Sequence, residues 1–367
     1  MSTLLVAGGG TGGHVLAGVA IAEAWRTHHA SDPRTKVLYV GARGGLEEKL
    51  VPRAGIPLIL LRLGSLNQVS LGRKLKTAVQ LPWAFLRSAV LLLKERPSAV
   101  VGVGGYASGP AVLAAALLGG LWGCRTAILE QNAIPGLTNR WLGKVVHLVF
   151  GAFPGIETYF PRSEVWITGN PVRSHFQPMP PSLAEPFTVF VFGGSQGALG
   201  INTLVLQAIE RLGPDARGIR WIHQTGERDY ERVKAGHERL ASGARVEKFI
   251  FDMAECYSQA SLLVCRAGSS TLAEIAAVGR ASVLVPFPLA SDNHQEGNAR
   301  VLVDAGAARL LRQQDAKGED LAAIIVELRA RHETVHAMEL AARPFFKPHA
   351  ALDIVRFLHH SPAERRQ

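Results

Sequence analysis

The stretch Leu4-Leu5-Val6-Ala7-Gly8-Gly9-Gly10-Thr11-Gly12-Gly13-His14 constrains this chain more than any other part of it. Four apolar residues followed by five glycines in six positions read as a buried strand that enters a tight turn and then a helix. Such a turn lets the helix N-terminus aim its unpaired N–H groups at the strand end, a geometry suited to phosphate. The alternative is that these glycines only permit close packing of helix on strand. The pattern returns in Val189-Phe190-Val191-Phe192-Gly193-Gly194-Ser195-Gln196-Gly197. Two α/β units in tandem, each opening the same way, are therefore expected. A length of 367 residues suits two domains better than one core.

Apolar runs alternate with helical patterns along the rest. Strands are expected at 3–7, 36–40, 99–103, 125–129 and 147–150, then at 188–192, 220–224, 245–249, 262–265 and 282–285. Residues 169–186 carry five prolines and little periodicity, which marks a linker between domains at 1–168 and 187–343. A last amphipathic stretch follows Pro344.

The formal charge of +10 favours anionic partners such as phosphates or an anionic membrane. Cys124, Cys256 and Cys265 suit neither a disulfide framework nor a zinc site, and point to a reducing compartment. No secretory signal is read at the N-terminus. The apolar run 111–123 is too short to span a bilayer, so no transmembrane helix is expected. One stretch does suit a membrane surface: Lys74 and Lys76, then Trp83, Phe85 and Arg87, interleave basic and bulky apolar side chains. An ordinary helix packed on its sheet would show the same pattern.

Further motifs fall at strand ends. Gly104-Gly105-Tyr106 follows the third expected strand, where Tyr106 can meet a phosphate or simply anchor a turn. Glu130-Gln131-Asn132 follows the fourth, as ligand residues or as caps. Thr271-x-x-Glu274 has the form of a capping box, while Glu274 could instead accept from ribose hydroxyls. Asp292 reads as a helix N-cap before Asn293-His294-Gln295. Gly8-x-Gly10-x-x-Gly13 also matches a dinucleotide fingerprint. The second strand ends at Arg43 with no acid, so an NADP oxidoreductase stands as a rival. No P-loop motif occurs in the sequence.

Six motifs in order, Gly9 to His14, Gly104 to Pro110, Glu130 to Asn132, Gly169-Asn170-Pro171-Val172-Arg173, Gly193 to Gly197 and Cys265-Arg266-x-Gly268, resemble the bacterial peptidoglycan N-acetylglucosaminyltransferases that form lipid II. The resemblance runs from about Leu4 to about Asn298. It implies a GT-B fold: two Rossmann-like domains with parallel sheets facing a central cleft. The final helix, at about 346–362, would pack back on the first domain. It also implies UDP-N-acetylglucosamine as donor and lipid I (undecaprenyl-diphospho-N-acetylmuramoyl-pentapeptide) as acceptor.

Carried over by motif, Arg173, Ser195, Gln196, Ile250, Ser269, Ser270, Thr271, Leu272, Ala273, Glu274 and Gln295 would bind the donor. Thr11, Gly12, Gly13 and Asn132 would complete that site. Gly104, Gly105 and Tyr106 would meet the acceptor diphosphate. The family's loop before Gln295 varies in length, which leaves His294 as the alternative there. The resemblance tips Glu274 toward the ribose.

The reaction so implied is an inverting attack of the acceptor hydroxyl on the anomeric carbon, with donors on the leaving diphosphate lowering the barrier most. His14 is the candidate base, with a supporting role on the acceptor diphosphate as its alternative and Glu130 as second candidate. No Asp-x-Asp metal clamp occurs, so no divalent ion is expected as a protein ligand and no cofactor as tightly bound. The expected place is the cytoplasmic face of the inner membrane, peripherally bound. Other cell-wall synthesis proteins are expected partners, and nucleic acid is not.

Overall fold

A computed structural model describes residues 2–63, 71–173, 175–182, 185–194 and 196–359, with the backbone alone for 71–78. It divides into two compact units. Unit 1 comprises residues up to Arg173 together with the segment from Lys347, and unit 2 runs between them.

In unit 1 the strands are β1 (Thr3–Gly8), β2 (Lys36–Ala42), β3 (Leu58–Leu61), β4 (Ala99–Gly104), β5 (Arg125–Glu130), β6 (Leu148–Gly151) and β7 (Glu164–Ile167). Between them lie α1 (Gly12–His28), α2 (Glu47–Arg53), α3 (Leu71–Glu95), α4 (Ser108–Leu118) and α5 (Leu137–Leu142). The sheet order is β3-β2-β1-β4-β5-β6-β7, and every recorded pairing is parallel. Helices cover both faces, so the central strands are buried throughout and read as continuous apolar runs. Along β1 the side chains alternate: Leu4 and Val6 enter one core layer, Leu5 and Ala7 the other.

Unit 2 repeats the design with β8 (Thr188–Phe192), β9 (Arg220–Gln224), β10 (Arg245–Glu247), β11 (Leu262–Cys265), β12 (Ser282–Leu284) and β13 (Ala308–Leu310). Its helices are α6 (Leu199–Leu212), α7 (Tyr230–Arg239), α8 (Met253–Gln259), α9 (Ser269–Val278), α10 (His294–Asp304), α11 (Gly318–Ala330) and α12 (His332–Ala342). Strand order is β10-β9-β8-β11-β12-β13, again parallel. In each sheet the order reverses beside the strand that carries the glycine turn, between β1 and β4 and between β8 and β11. Open parallel sheets bind ligands outside the carboxyl ends of the strands at such a reversal.

After unit 2 the chain re-enters unit 1 as α13 (Ala350–His359), which lies against α1. Ile354, Val355 and Leu358 are buried in the layer that holds Val15, Ile21 and Trp25. Burial of such side chains stabilises by about 1.5–3 kcal/mol apiece. Phe357 adds a stacked contact with Trp166, ring centroids 4.2 Å apart.

Candidate active site

In unit 1 the loops after β1, β4 and β5 meet. Gly9 N donates to the Gly104 carbonyl at 3.1 Å. Gly105, with φ +82°, lies so close to the Gly9 backbone that a Cβ there would collide with the Gly9 carbonyl. Thr11 caps α1, its hydroxyl accepting from His14 N at 3.4 Å. No acid occupies the first turn of α1, so the positive end of its dipole faces the loop unopposed from within the helix.

Three polar side chains brace this crevice. Glu47, fully buried on α2, accepts from Gly10 N at 3.1 Å and Ala42 N at 2.9 Å. It is also packed where Gly9, Gly41 and Gly45 lack side chains. Gln131 donates to the Gly13 carbonyl at 3.3 Å. Glu130 is 2% exposed and accepts from Asn132 N (2.9 Å), Asn132 Nδ2 (3.2 Å), Gly136 N (3.2 Å) and Asn139 Nδ2 (2.8 Å). Burial pushes the Glu130 carboxyl up, against four N–H donors that favour its ionised form.

His14 is half-buried on the first turn of α1. Its Nδ1 lies 3.3 Å from the Gly9 carbonyl, which can only accept. That contact places the ring proton on Nδ1 and the lone pair on Nε2, the form that can take up a proton. Nε2 faces Gly104, where a Cβ would approach it to 2.8 Å. Tyr106, which follows Gly105 in the β4 loop, is half-buried.

In unit 2, a concave site of about 900 Å³ opens at the ends of β8 and β11, lined by Gly193, Gly194, Gly197, Arg266, Gly268, Thr271, Phe287 and Gln295 among others. Gly197, at φ +72°, touches the Thr225 backbone where no side chain would fit. Gln224 links two expected elements: its amide donates to the Gly194 carbonyl at 3.0 Å, and its oxygen accepts from Ile250 N at 2.8 Å. Arg266 donates to the Val285 and Pro286 carbonyls (3.0 and 3.1 Å) and to Gln313 (2.6 Å), over the Phe287 ring. Burial lowers its guanidinium to about 10. Gln295 accepts from Phe287 N at 2.9 Å, whereas His294 Nδ1 contacts the Ser291 carbonyl at 2.6 Å.

Two local expectations are corrected. α9 starts at Ser269 with Gly268 as N-cap and no side-chain cap, so Thr271 stands inside the helix and forms no capping box with Glu274. Glu274 accepts instead from the Tyr257 hydroxyl at 3.0 Å. Asp292 adopts the left-handed conformation (φ 52°), and the residue that caps α10 is Asn293.

Ser269, Ser270, Thr271, Ala273 and Glu274 are half-buried on α9, Leu272 is buried, and Gln196 is exposed on the glycine turn. Arg173 ends the first segment of unit 1. Thr11, Gly12, Gly13 and Asn132 belong to the unit 1 crevice described above. Ser195 lies outside the described residues.

On α3, Trp83 is 72% exposed, with Val79, Leu86 and Val90 beside it around a shallow groove of about 630 Å³ that Arg87 also lines. Phe85 turns inward and packs on the core. The side chains of Lys74 and Lys76 lie outside the described residues. Among the described residues no helix is long and apolar enough to cross a membrane.

The dinucleotide reading meets a physical obstacle. The Gly10 amide, part of the fingerprint's glycine turn, already donates to the Glu47 carboxylate at 3.1 Å. Residues 4–150 match the glycosyltransferase family 28 N-terminal domain and residues 188–354 the C-terminal domain of that family. The chain is 44% identical to a UDP-N-acetylglucosamine–N-acetylmuramyl-(pentapeptide) pyrophosphoryl-undecaprenol N-acetylglucosamine transferase of Myxococcus xanthus, over 96% of this chain and 91% of that one. A transferase of the same name from a Geobacter species is 40% identical, over 99% and 97%. The crystal structure of Acinetobacter baumannii MurG superposes with a TM-score of 0.80 at 30% identity, covering 98% of this chain and 99% of the other. With two parallel-sheet Rossmann-like domains of the GT-B kind and relatives of this identity over nearly its full length, the chain belongs to glycosyltransferase family 28, among its UDP-N-acetylglucosamine-dependent transferases.

Proposed function

We propose that this chain transfers N-acetylglucosamine from UDP-N-acetylglucosamine to the C4 hydroxyl of lipid I, forming lipid II with inversion at the anomeric carbon. The observation that carries this reading is the near-full-length identity to transferases named for that reaction. The site chemistry supports it. Unit 2 offers the nucleotide a glycine turn, an arginine and a carboxylate held by Tyr257. The amides of the glycine turn after β8 meet the charge that develops on the leaving diphosphate. Glu274 accepts from the ribose hydroxyls, and Gln295 rather than His294 serves the donor, because Gln295 lines the unit 2 cavity.

His14 takes the acceptor proton on Nε2, held in the right tautomer by Gly9. Glu130 acts as a positioning residue: three of its contacts hold the loop that carries Asn132, and the fourth ties that loop to Asn139 on α5. The diphosphate of lipid I sits at Gly104, Gly105 and Tyr106 beside the N-terminus of α1. The α3 face with Trp83 and Arg87 rests peripherally on the anionic cytoplasmic leaflet, where the acceptor is. No protein-held divalent ion is required for the chemistry as proposed.

The test is transfer of radiolabelled N-acetylglucosamine from its UDP conjugate to a short-chain lipid I analogue. UDP-glucose and UDP-N-acetylgalactosamine serve as competing donors. Selective transfer is expected. Failure to transfer with UDP still bound would move the function to another sugar or lipid, and failure to bind UDP would overturn the transferase reading.

A further inference from the structure

We propose that His28, His29 and His359 form a binding site for a divalent transition-metal ion that clasps α13 to α1. His28 and His29 end α1, and His359 ends α13, 330 residues beyond His29. No sequence spacing reveals such a set, yet one nitrogen from each ring lies within 4.8 Å of the other two.

The chemistry of the three rings fits an ion. His29 is buried, and its Nδ1 is 3.0 Å from the Trp25 carbonyl. A carbonyl only accepts, so Nδ1 carries the proton and Nε2 presents its lone pair, which is how metal-binding histidines are oriented. That Nε2 lies 2.8 Å from Nε2 of His359. Two imidazoles on one tetrahedral ion, with bonds of about 2.0–2.1 Å, stand roughly 3.3 Å apart. A separation of about half an ångström therefore admits the ion. The His28 ring centroid is 4.9 Å from that of His29 and 5.8 Å from that of His359. Trp25 lies against His29 and stacks on His359, walling one side.

The electrostatics agree. The C-terminus of α1 lies here, and it brings partial negative charge to a place where a cation is favoured. Three imidazoles without a carboxylate select Zn²⁺, Ni²⁺ or Co²⁺ over Mg²⁺ or Ca²⁺. His28 and His359 are exposed, so solvent can fill a fourth position. An ion bound only when α13 is docked would stabilise that docking by mass action.

The experiment uses the full chain without an affinity tag, stripped with chelator and dialysed against Zn²⁺, with Mg²⁺ as control. One zinc per chain is expected. His28→Gln and His359→Gln, both at exposed positions, should each weaken its binding about tenfold or more. Zinc should raise the midpoint of thermal unfolding in the parent and not in the double variant. Zinc uptake equal in parent and double variant, or uptake of magnesium to the same degree, would overturn the proposal and leave a hydrogen-bonded His29–His359 pair with the His28 ring packed against it.

Discussion

Glu274 illustrates how a single side chain divides between stability and binding. Its Tyr257 partner holds one carboxylate oxygen in place, and no helix cap depends on it. Hydrogen bonds to a charged group are worth about 1.5–3 kcal/mol. Glu274→Ala should therefore raise KM for UDP-N-acetylglucosamine by about 10- to 100-fold and lower the thermal midpoint only modestly, through loss of this acceptor for the buried Tyr257 hydroxyl. A midpoint that fell sharply while KM stayed put would make the residue structural. His14 should behave in the opposite way. His14→Ala is expected to lower kcat by about 10²–10⁴-fold with little change in donor KM, as steady-state kinetics would show. Near-normal turnover would remove it as the base. Glu130→Gln should lose activity and stability together, because one carboxylate oxygen becomes an N–H₂ facing N–H donors. The motif residues were legible because glycines and polar clusters at strand ends stand out locally. Glu47, Gln224 and Tyr257 were not, since each acts on a loop distant in sequence: Glu47 on Gly10, 37 residues away, and Gln224 on Gly194, 30 away. The glycines at 41, 44 and 45 around Glu47 were the available hint.

At the scale of elements, legibility followed burial. β1, β4, β5 and β8 are covered on both faces, and their apolar runs announce them. The strands not expected from sequence, β3, β7 and β13, all lie at sheet edges; Glu164 and Arg309 break the apolar run in β7 and β13, whereas β3 is a run of only four apolar residues. β10, the remaining edge, is shorter than its expected span and ends at Glu247. The amphipathic pattern of α3 could not reveal which face was which. The structure turns Ala84, Phe85 and Leu92 toward the core and Trp83, Leu86 and Val90 outward. That outward face makes a prediction. Trp83→Ser with Leu86→Ser should reduce sedimentation with anionic vesicles severalfold while transfer to a water-soluble acceptor analogue is retained, and high salt should weaken what binding remains. Unchanged sedimentation would assign the face to something other than lipid. For α13 the measurable quantity is packing. Ile354→Ala, at a fully buried position, should destabilise unit 1 by about 2–4 kcal/mol in denaturant titration.

Each unit has its own core, one assembled around β8 to β12 and the other layered on both faces of the β1 sheet, so the two should unfold as separable events in calorimetry. Ligand and proton then identify which event is which. UDP held by unit 2 at a hundred times its Kd stabilises that unit by about 2.7 kcal/mol and should move one transition upward by about 5–10 °C. Protons act on the same unit from the opposite direction. His223 is buried between His237 (3.0 Å) and Asn202 (3.0 Å), and His237 contacts Ser242 at 2.8 Å. Burial pushes both rings down, to about 3 for His223 and about 4 for His237. Free histidine titrates near 6.5, so as pH falls below that value the unfolded chain takes up protons that the folded unit refuses. Stability that is fully present above about pH 6.5 must then be lost progressively toward pH 4. The transition that UDP raises is therefore the one that acid should lower first, and His237→Gln should flatten its pH dependence between 6.5 and 4. If acid lowered the UDP-insensitive transition instead, either the buried histidine pair would not be the acid-labile element or UDP would not be held by unit 2. The His237→Gln profile separates those two outcomes, because it changes only in the second.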